Sequence, residues 1–208
     1  MPDEVFFYSE GLRISALLYR PAAEPSRVPG VVVCCGFGGL QNSQPPAICR
    51  FLNSLGYVAL SFDYRGFGDS EGVRGRIDPW AQVADIKYAI TYLQTIEEVD
   101  PDRIGLYGTS FGGGNVVCVA ATDERVKCVI ATASVSNAER WLKAIRPYWQ
   151  WLEISRRLER DRVQRVLTGQ SEMVSRFYLM NPDPDTKAYY DKRFAETGAQ
   201  SPPVALET

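Results

Sequence analysis

Gly108-Thr109-Ser110-Phe111-Gly112 is the stretch that most limits how this chain can fold. Apolar Ile104-Gly105-Leu106-Tyr107 leads into it as a strand, and Gly113, Gly114, Asn115 and the run Val116 to Ala121 leave it as a helix. A chain that passes from strand to helix in so few residues must turn sharply. Side chains two before and two after the serine would collide in that turn, and the turn forces strained backbone angles, so glycine at 108 and 112 has a steric reason. The pentapeptide alone is weak, because glycine and serine are common. In its strand-before, helix-after setting it reads as a G-x-S-x-G nucleophile elbow, which lifts the Ser110 hydroxyl above the carboxyl edge of a parallel sheet. The plain alternative is an ordinary strand-to-helix turn.

The flanking chain supports a parallel sheet. Glu4 to Tyr8 and Leu12 to Tyr19, separated by Ser9-Glu10-Gly11, predict an N-terminal hairpin. Gly30 to Cys35 is continuously apolar, as expected of a strand buried on both faces, and runs into Gly36-Phe37-Gly38-Gly39. Ile48, Phe51, Leu52 and Leu55 fall at helical spacing, with Gly56 closing the helix. Tyr57 to Phe62 is the next strand. Asp78 caps a further helix with Pro79 in its first position, and Trp80, Val83, Ile86, Ile90 and Leu93 are expected on its inner face. Val126 to Ala131 follows the elbow helix as another apolar strand, expected to be buried. Strands alternating with helices argue for an α/β architecture.

From Asn137 the texture changes. Trp141, Tyr148, Trp149 and Trp151 crowd together, then Arg156, Arg157, Arg160, Arg162 and Arg165 follow. This predicts a helical insertion over residues 137–200. Glu153, Glu159 and Asp161 interrupt the arginines, which favours a solvated helix face over an anionic partner.

Composition removes several classes. A net charge of −2 over 208 residues offers no basic surface for nucleic acid or an anionic membrane. Met1-Pro2-Asp3-Glu4 is unlike the start of a secretory signal, and no apolar run approaches the ~20 residues of a membrane span, so a cytoplasmic location is expected. The five cysteines form no C-x-x-C and read as buried free thiols. There is no histidine at all, which argues against a zinc site, and no cofactor is implied.

Three blocks together match a known group. Val33-Cys34-Cys35-Gly36-Phe37-Gly38-Gly39 resembles the strand and H-G-F-G-G loop of the dienelactone-hydrolase-like and X-Pro dipeptidyl-peptidase (S15)-like branch of the α/β-hydrolase superfamily, with Cys35 where histidine is usual. Asp63-Tyr64-Arg65-Gly66-Phe67-Gly68-Asp69-Ser70-Glu71-Gly72 is similar to its D-Y-R-G-x-G-x-S-x-G loop, and Asp102 to Gly113 is similar to its elbow block. The resemblance covers about residues 5–135. It implies an α/β-hydrolase fold, a mostly parallel sheet with flanking helices and a helical cap: core over 1–136, cap over 137–200, and a return to the core from 201 to 208. It also implies that Ser110 attacks the acyl carbon of a small-molecule ester, lactone or amide, while the backbone N–H groups of Phe111 and Phe37 hold the oxyanion. Arg65 and Asp69 are expected to brace their loop. Some of the aromatic residues at 141–151 are expected to line an acyl pocket. Acyltransferase and C–C hydrolase chemistry on the same scaffold, or a catalytically dead binding protein, are the alternatives.

The family's acid and histidine have no counterpart here. The stretch Thr132-Ala133-Ser134-Val135-Ser136-Asn137 carries no carboxylate, and the chain has no histidine. The fold is therefore expected to be C-terminally incomplete, within a longer chain, beside a complementing C-terminal segment or in a homo-oligomer. Val126 to Ala131 would then form an apolar edge, with no charge, proline or bulge evident to protect it.

Overall fold

The computed structural model describes residues 1–22, 27–197 and 201–207. Asp3–Ser9 (β1) and Leu12–Tyr19 (β2) form the N-terminal antiparallel hairpin. Its turn residues Glu10 and Gly11 both take positive φ, 48° and 83°, the geometry whose twist suits a two-residue hairpin turn. Val28–Cys34 (β3), Val58–Phe62 (β4), Val99–Thr109 (β5) and Val126–Thr132 (β6) complete a six-stranded sheet in the order β1-β2-β4-β3-β5-β6. β3 lies between β4 and β5 and is parallel to both, and β6 is parallel to β5.

Pro45–Ser54 (α1) covers one face of the sheet, and Pro79–Gln94 (α2) and Phe111–Ala120 (α3) pack side by side on the other. Neighbouring residues of β3 divide between two cores: Val32 and Cys34 join Ile86, Ile90 and Val116, whereas Val33 joins Cys49 of α1. Such two-sided burial is why the parallel strands are apolar along their whole length. The α2 start is as predicted, with the Asp78 carboxylate accepting from the N–H groups of Trp80 at 3.1 Å and Ala81 at 3.2 Å. Trp80 itself is exposed, because at 3.6 residues per turn it lies roughly 110° round the helix from the mean direction of Ile86, Ile90 and Leu93.

Two apolar surfaces stay open where the sequence predicts burial. β6 is an edge strand, and Ile130 is 50% exposed. On α1, Phe51 and Leu55 are exposed and border an apolar groove of about 390 Å³ with Tyr57, Cys128 and Ile130. The β6 edge is not wholly unprotected. Its register steps from Ile104–Val126 to Gly105–Cys128, leaving Lys127 as a charged bulge that interrupts the ladder. The open faces also correct the cysteine reading: all five are free, but only Cys34, Cys35 and Cys49 are buried, while Cys118 and Cys128 are exposed.

The segment after residue 137 is mostly helical, as Ala138–Ala144 (α4), Tyr148–Thr168 (α5), Arg176–Met180 (α6) and Pro184–Thr197 (α7). It is not purely so. Met173–Ser175 (β7) pairs antiparallel with Pro203–Ala205 (β8). Val174, Val204 and Leu206 bury themselves in the main core, and the Ala205 N–H donates to Gly75 O at 2.8 Å, which pins this ribbon to the loop after β4. Arg156, Arg160 and Arg162 on α5 are exposed, while Arg157 pairs with Glu172 and Arg165 with Asp161 and Glu207. Among the described residues no helix is long and apolar enough to cross a membrane.

Candidate active site

Ser110 sits between the end of β5 and the start of α3 with φ 54° and ψ −121°, a backbone conformation that a non-glycine residue adopts only when its surroundings enforce it. Those surroundings are visible. The Ser110 N–H donates to Thr132 O at 2.9 Å, and the Ser110 carbonyl accepts from Gly113 N at 3.0 Å and Val135 N at 3.1 Å. A Cβ on Gly108 would fall on the backbone of Gly112, and one on Gly112 on the Cys35 carbonyl. Both elbow glycines are therefore required by close backbone approach. Two neighbours share the same logic: a Cβ on Gly36 would stand 3.2 Å from Ser110 Cβ, and one on Gly113 2.6 Å from Ser134 Oγ.

The Gly36–Gly39 loop turns back on itself through Gly39 N–H to Gly36 O at 3.0 Å, with Gly38 at φ +59°. The rings of Phe37 and Phe111 meet edge to face, 5.7 Å apart, and so hold the two chain segments together. Phe111 is the first residue of α3, so its N–H has no acceptor within the helix. The thiol of Cys35 is buried, and burial, followed by the nearby Asp63, pushes its pKa well above 9.0. It is protonated at neutral pH and makes a poor nucleophile.

The loop after β4 is a brace. Asp63 Oδ1 accepts from Gln41 N at 2.7 Å and Oδ2 from Asp69 N at 3.3 Å, tying this loop to the one that follows β3. Burial nevertheless outweighs both bonds and raises the Asp63 pKa to about 6. Arg65 reaches the fully buried Asp85 on α2 with Nη2 at 2.7 Å, and Glu10 in the hairpin turn with Nη1 at 2.8 Å. Asp69 is exposed; only its N–H joins the brace, so the bracing side chains are those of Asp63 and Arg65.

Ser110 opens on a cavity of about 280 Å³ walled by Gly36, Phe37 and Gly39 from one loop, Thr109 and Ala133 from the strand ends, and Arg176, Met180, Tyr190, Arg193 and Phe194 from α6 and α7. The aromatic wall thus differs from the expectation. Tyr148 and Trp149 are exposed, Trp141 meets Phe37 at a tilt with ring centres 6.3 Å apart, and Trp151 lies under the Lys143 ammonium at 5.0 Å. Tyr190 and Phe194, one helical turn apart on α7, line the cavity in their place, and that i, i+4 pair was the signal to be found in the sequence. No Asp or Glu lines this cavity among the described residues.

A model of the X-Pro dipeptidyl-peptidase (S15 family) matches residues 10–202. The chain is 36% identical over 174 residues to the quorum-quenching protein AidA of Acinetobacter baumannii (strain MDR-ZJ06), covering 83% of this chain and 57% of that protein. It is 35% identical over 133 residues to the acyltransferase drtE of Aspergillus calidoustus, covering 63% of this chain and 42% of that one. Among solved structures, the hypothetical protein PA2218 from Pseudomonas aeruginosa superposes with a TM-score of 0.84 at 21% identity, covering all of this chain and 69% of its own. The chain spans about half the length of the curated relatives it matches.

Proposed function

This chain belongs to the X-Pro dipeptidyl-peptidase (S15) family and has the α/β-hydrolase fold, and from that premise we propose that it carries the nucleophile and oxyanion donors of a serine acyl hydrolase. In this reading Ser110 Oγ attacks the carbonyl carbon of an ester, lactone or amide. The N–H groups of Phe111 and Phe37 donate to the developing oxyanion, and helices α4–α7 cap the site. Collapse of the adduct breaks the C–O or C–N bond and expels the alcohol or amine, which takes up the proton the serine gave up; water then hydrolyses the acyl-enzyme to the free acid and Ser110. The observation that supports this most is the strained φ 54° of Ser110 at the mouth of a cavity walled by both loops. Strain at a fully packed turn has no structural use there, whereas it aims a hydroxyl at a ligand.

The base comes from outside these residues, from further chain or from a complementing segment. The 208 residues contain no histidine, and a serine hydroxyl is a weak nucleophile until a neighbouring base takes its proton. Acyl transfer to a second substrate is the second reading, favoured by the identity with an acyltransferase; it differs only in what resolves the acyl-enzyme. The test is p-nitrophenyl acetate turnover and fluorophosphonate labelling. The 208-residue chain alone should show trace turnover, and a chain extended or complemented by a segment that supplies the base should work. Ser110→Ala in the extended protein should then lose at least about 10³-fold. Brisk Ser110-dependent turnover by the short chain overturns the argument about the base, and near-normal turnover in extended Ser110→Ala overturns the nucleophile.

A further inference from the structure

Arg176, the first residue of α6, is 7% exposed in the wall of the Ser110 cavity. Its Nη1 donates to the carbonyl oxygens of Gly38 at 3.0 Å and Phe37 at 3.4 Å. The guanidinium also lies 5.2 to 5.7 Å from the ring centres of Phe177, Tyr190 and Phe194. These contacts fix one edge of the group and leave the other unused. Nε is buried without any hydrogen-bond partner, and among the described residues both of the bonds that Arg176 donates come from Nη1.

Nε and Nη2 form the edge with which arginine grips a carboxylate through two bonds. The same protein uses that edge twice. Arg65 holds Asp85 with Nε 3.2 Å from Oδ2 and Nη2 2.7 Å from Oδ1. Arg157 holds Glu172 with Nε 2.9 Å from Oε2 and Nη2 on Oε1. Arg176 carries the same edge with no acid on it among the described residues, in the wall of a cavity lined by Arg193 but by no described carboxylate. A guanidinium desolvated to this degree and half-satisfied is costly to keep unless something else completes it. Packing alone would be met by a neutral side chain.

We propose that the Nε/Nη2 edge of Arg176 receives a carboxylate carried by the substrate. The preferred class is then an acyl compound with a free carboxylate near the carbonyl that is cut, such as the half-ester, half-thioester or half-amide of a short dicarboxylic acid. A cavity of about 280 Å³ is just below the ~300 Å³ at which pockets for drug-sized ligands begin, which suits a short acyl chain. The statement about which bond is cut rests on Ser110 as nucleophile; the anion site itself stands on Arg176.

Equilibrium binding separates the two, because it needs no turnover. Monomethyl glutarate and dimethyl glutarate differ by one charge at nearly constant shape, and both can be titrated into the 208-residue chain by calorimetry or NMR. The expected result is at least about tenfold tighter binding of the anionic probe, lost in Arg176→Gln and only partly kept in Arg176→Lys, which retains charge without the fork. Equal binding of both probes by the wild-type chain overturns the proposal. So does a preference that survives Arg176→Gln, which would move the site to Arg193. Should Arg176→Gln fail to fold, the wild-type comparison and Arg176→Lys still decide, and wild-type affinity in the lysine variant overturns the two-bond grip. Failure of Ser110 to label with fluorophosphonate would leave all of these binding results standing.

Discussion

Asp63→Asn isolates the electrostatics that hold the two loops of the candidate site together. The carboxylate is 3% exposed and accepts two backbone N–H bonds, which favour its charge, yet burial dominates and raises its pKa from 3.8 to about 6. A folded pKa above the unfolded one means that the folded chain binds the extra proton between about pH 4 and pH 6. This contribution to stability is whole below pH 4, falls as pH rises through 6, and is gone above it. The gap from 3.8 to about 6, at ~1.36 kcal/mol for each tenfold change in proton affinity, is worth about 3 kcal/mol. For a chain of this size that is a melting shift of roughly 6–12 °C. Asparagine resembles the protonated acid and does not titrate. Other carboxylates, such as Asp123 and Asp161, have lowered pKa values and push in the opposite sense, so the quantity to follow is the difference between wild type and variant. Urea unfolding from pH 4 to pH 8 should show Asp63→Asn gaining on the wild type by about 3 kcal/mol as pH rises. A difference that stays flat, or one in which the wild type gains on Asp63→Asn as pH rises, would show that the two N–H bonds match or outweigh burial and refute the reasoning.

The remaining expectations are simpler. Asp85→Ala strips a fully buried carboxylate from Arg65, whose side chain is only 17% exposed, so thermal unfolding should show a loss of about 3–5 kcal/mol; a loss under ~1 kcal/mol would mean that Glu10 and the Ser9 hydroxyl, which accepts from Arg65 Nη2 at 3.0 Å, suffice. Gly112→Ala places a Cβ on the Cys35 carbonyl, with backbone on both sides, whereas Gly56→Ala, at φ +85°, meets nothing within 4 Å. The first should cost more than ~4 kcal/mol or abolish folding, and the second about 1–2 kcal/mol from its left-handed backbone alone. Similar melting temperatures for the two would discredit the steric account of the elbow.

The fold was legible wherever a local rule and the tertiary environment agree. The hairpin, the α2 cap at Asp78 and the strand–turn–helix about Ser110 each follow from short-range geometry that the structure keeps. Apolar pattern misled where burial depends on what lies across the surface. Ile130 and Phe51 are as apolar as their buried neighbours but border an open groove. Periodicity tells which residues share a face and is silent on whether that face has a partner. The β7–β8 ribbon was hidden for another reason. Three-residue strands carry almost no pattern, and Met173 and Ala205 pair across residues that separate them widely in the chain.

The candidate site divides along the same line. Ser110, Phe111 and the Gly36–Gly39 loop announce themselves because backbone geometry at each point demands particular residues, above all glycine. The wall opposite them does not, since a helix can present almost any side chain to a cavity. The tryptophans drew attention by density, but aromatic density reports where packing is needed, and Trp141 on Phe37 and Trp151 under Lys143 satisfy it without reaching the cavity. Arg176 was invisible for the opposite reason. In sequence it is one arginine following several that are solvated or paired, and nothing local distinguishes it. What sets it apart exists only in three dimensions: the side chain is 7% exposed, and among the described residues its Nε has no hydrogen-bond partner. Specificity at such a site is a property of the space between elements, so it becomes readable only when the elements have been placed.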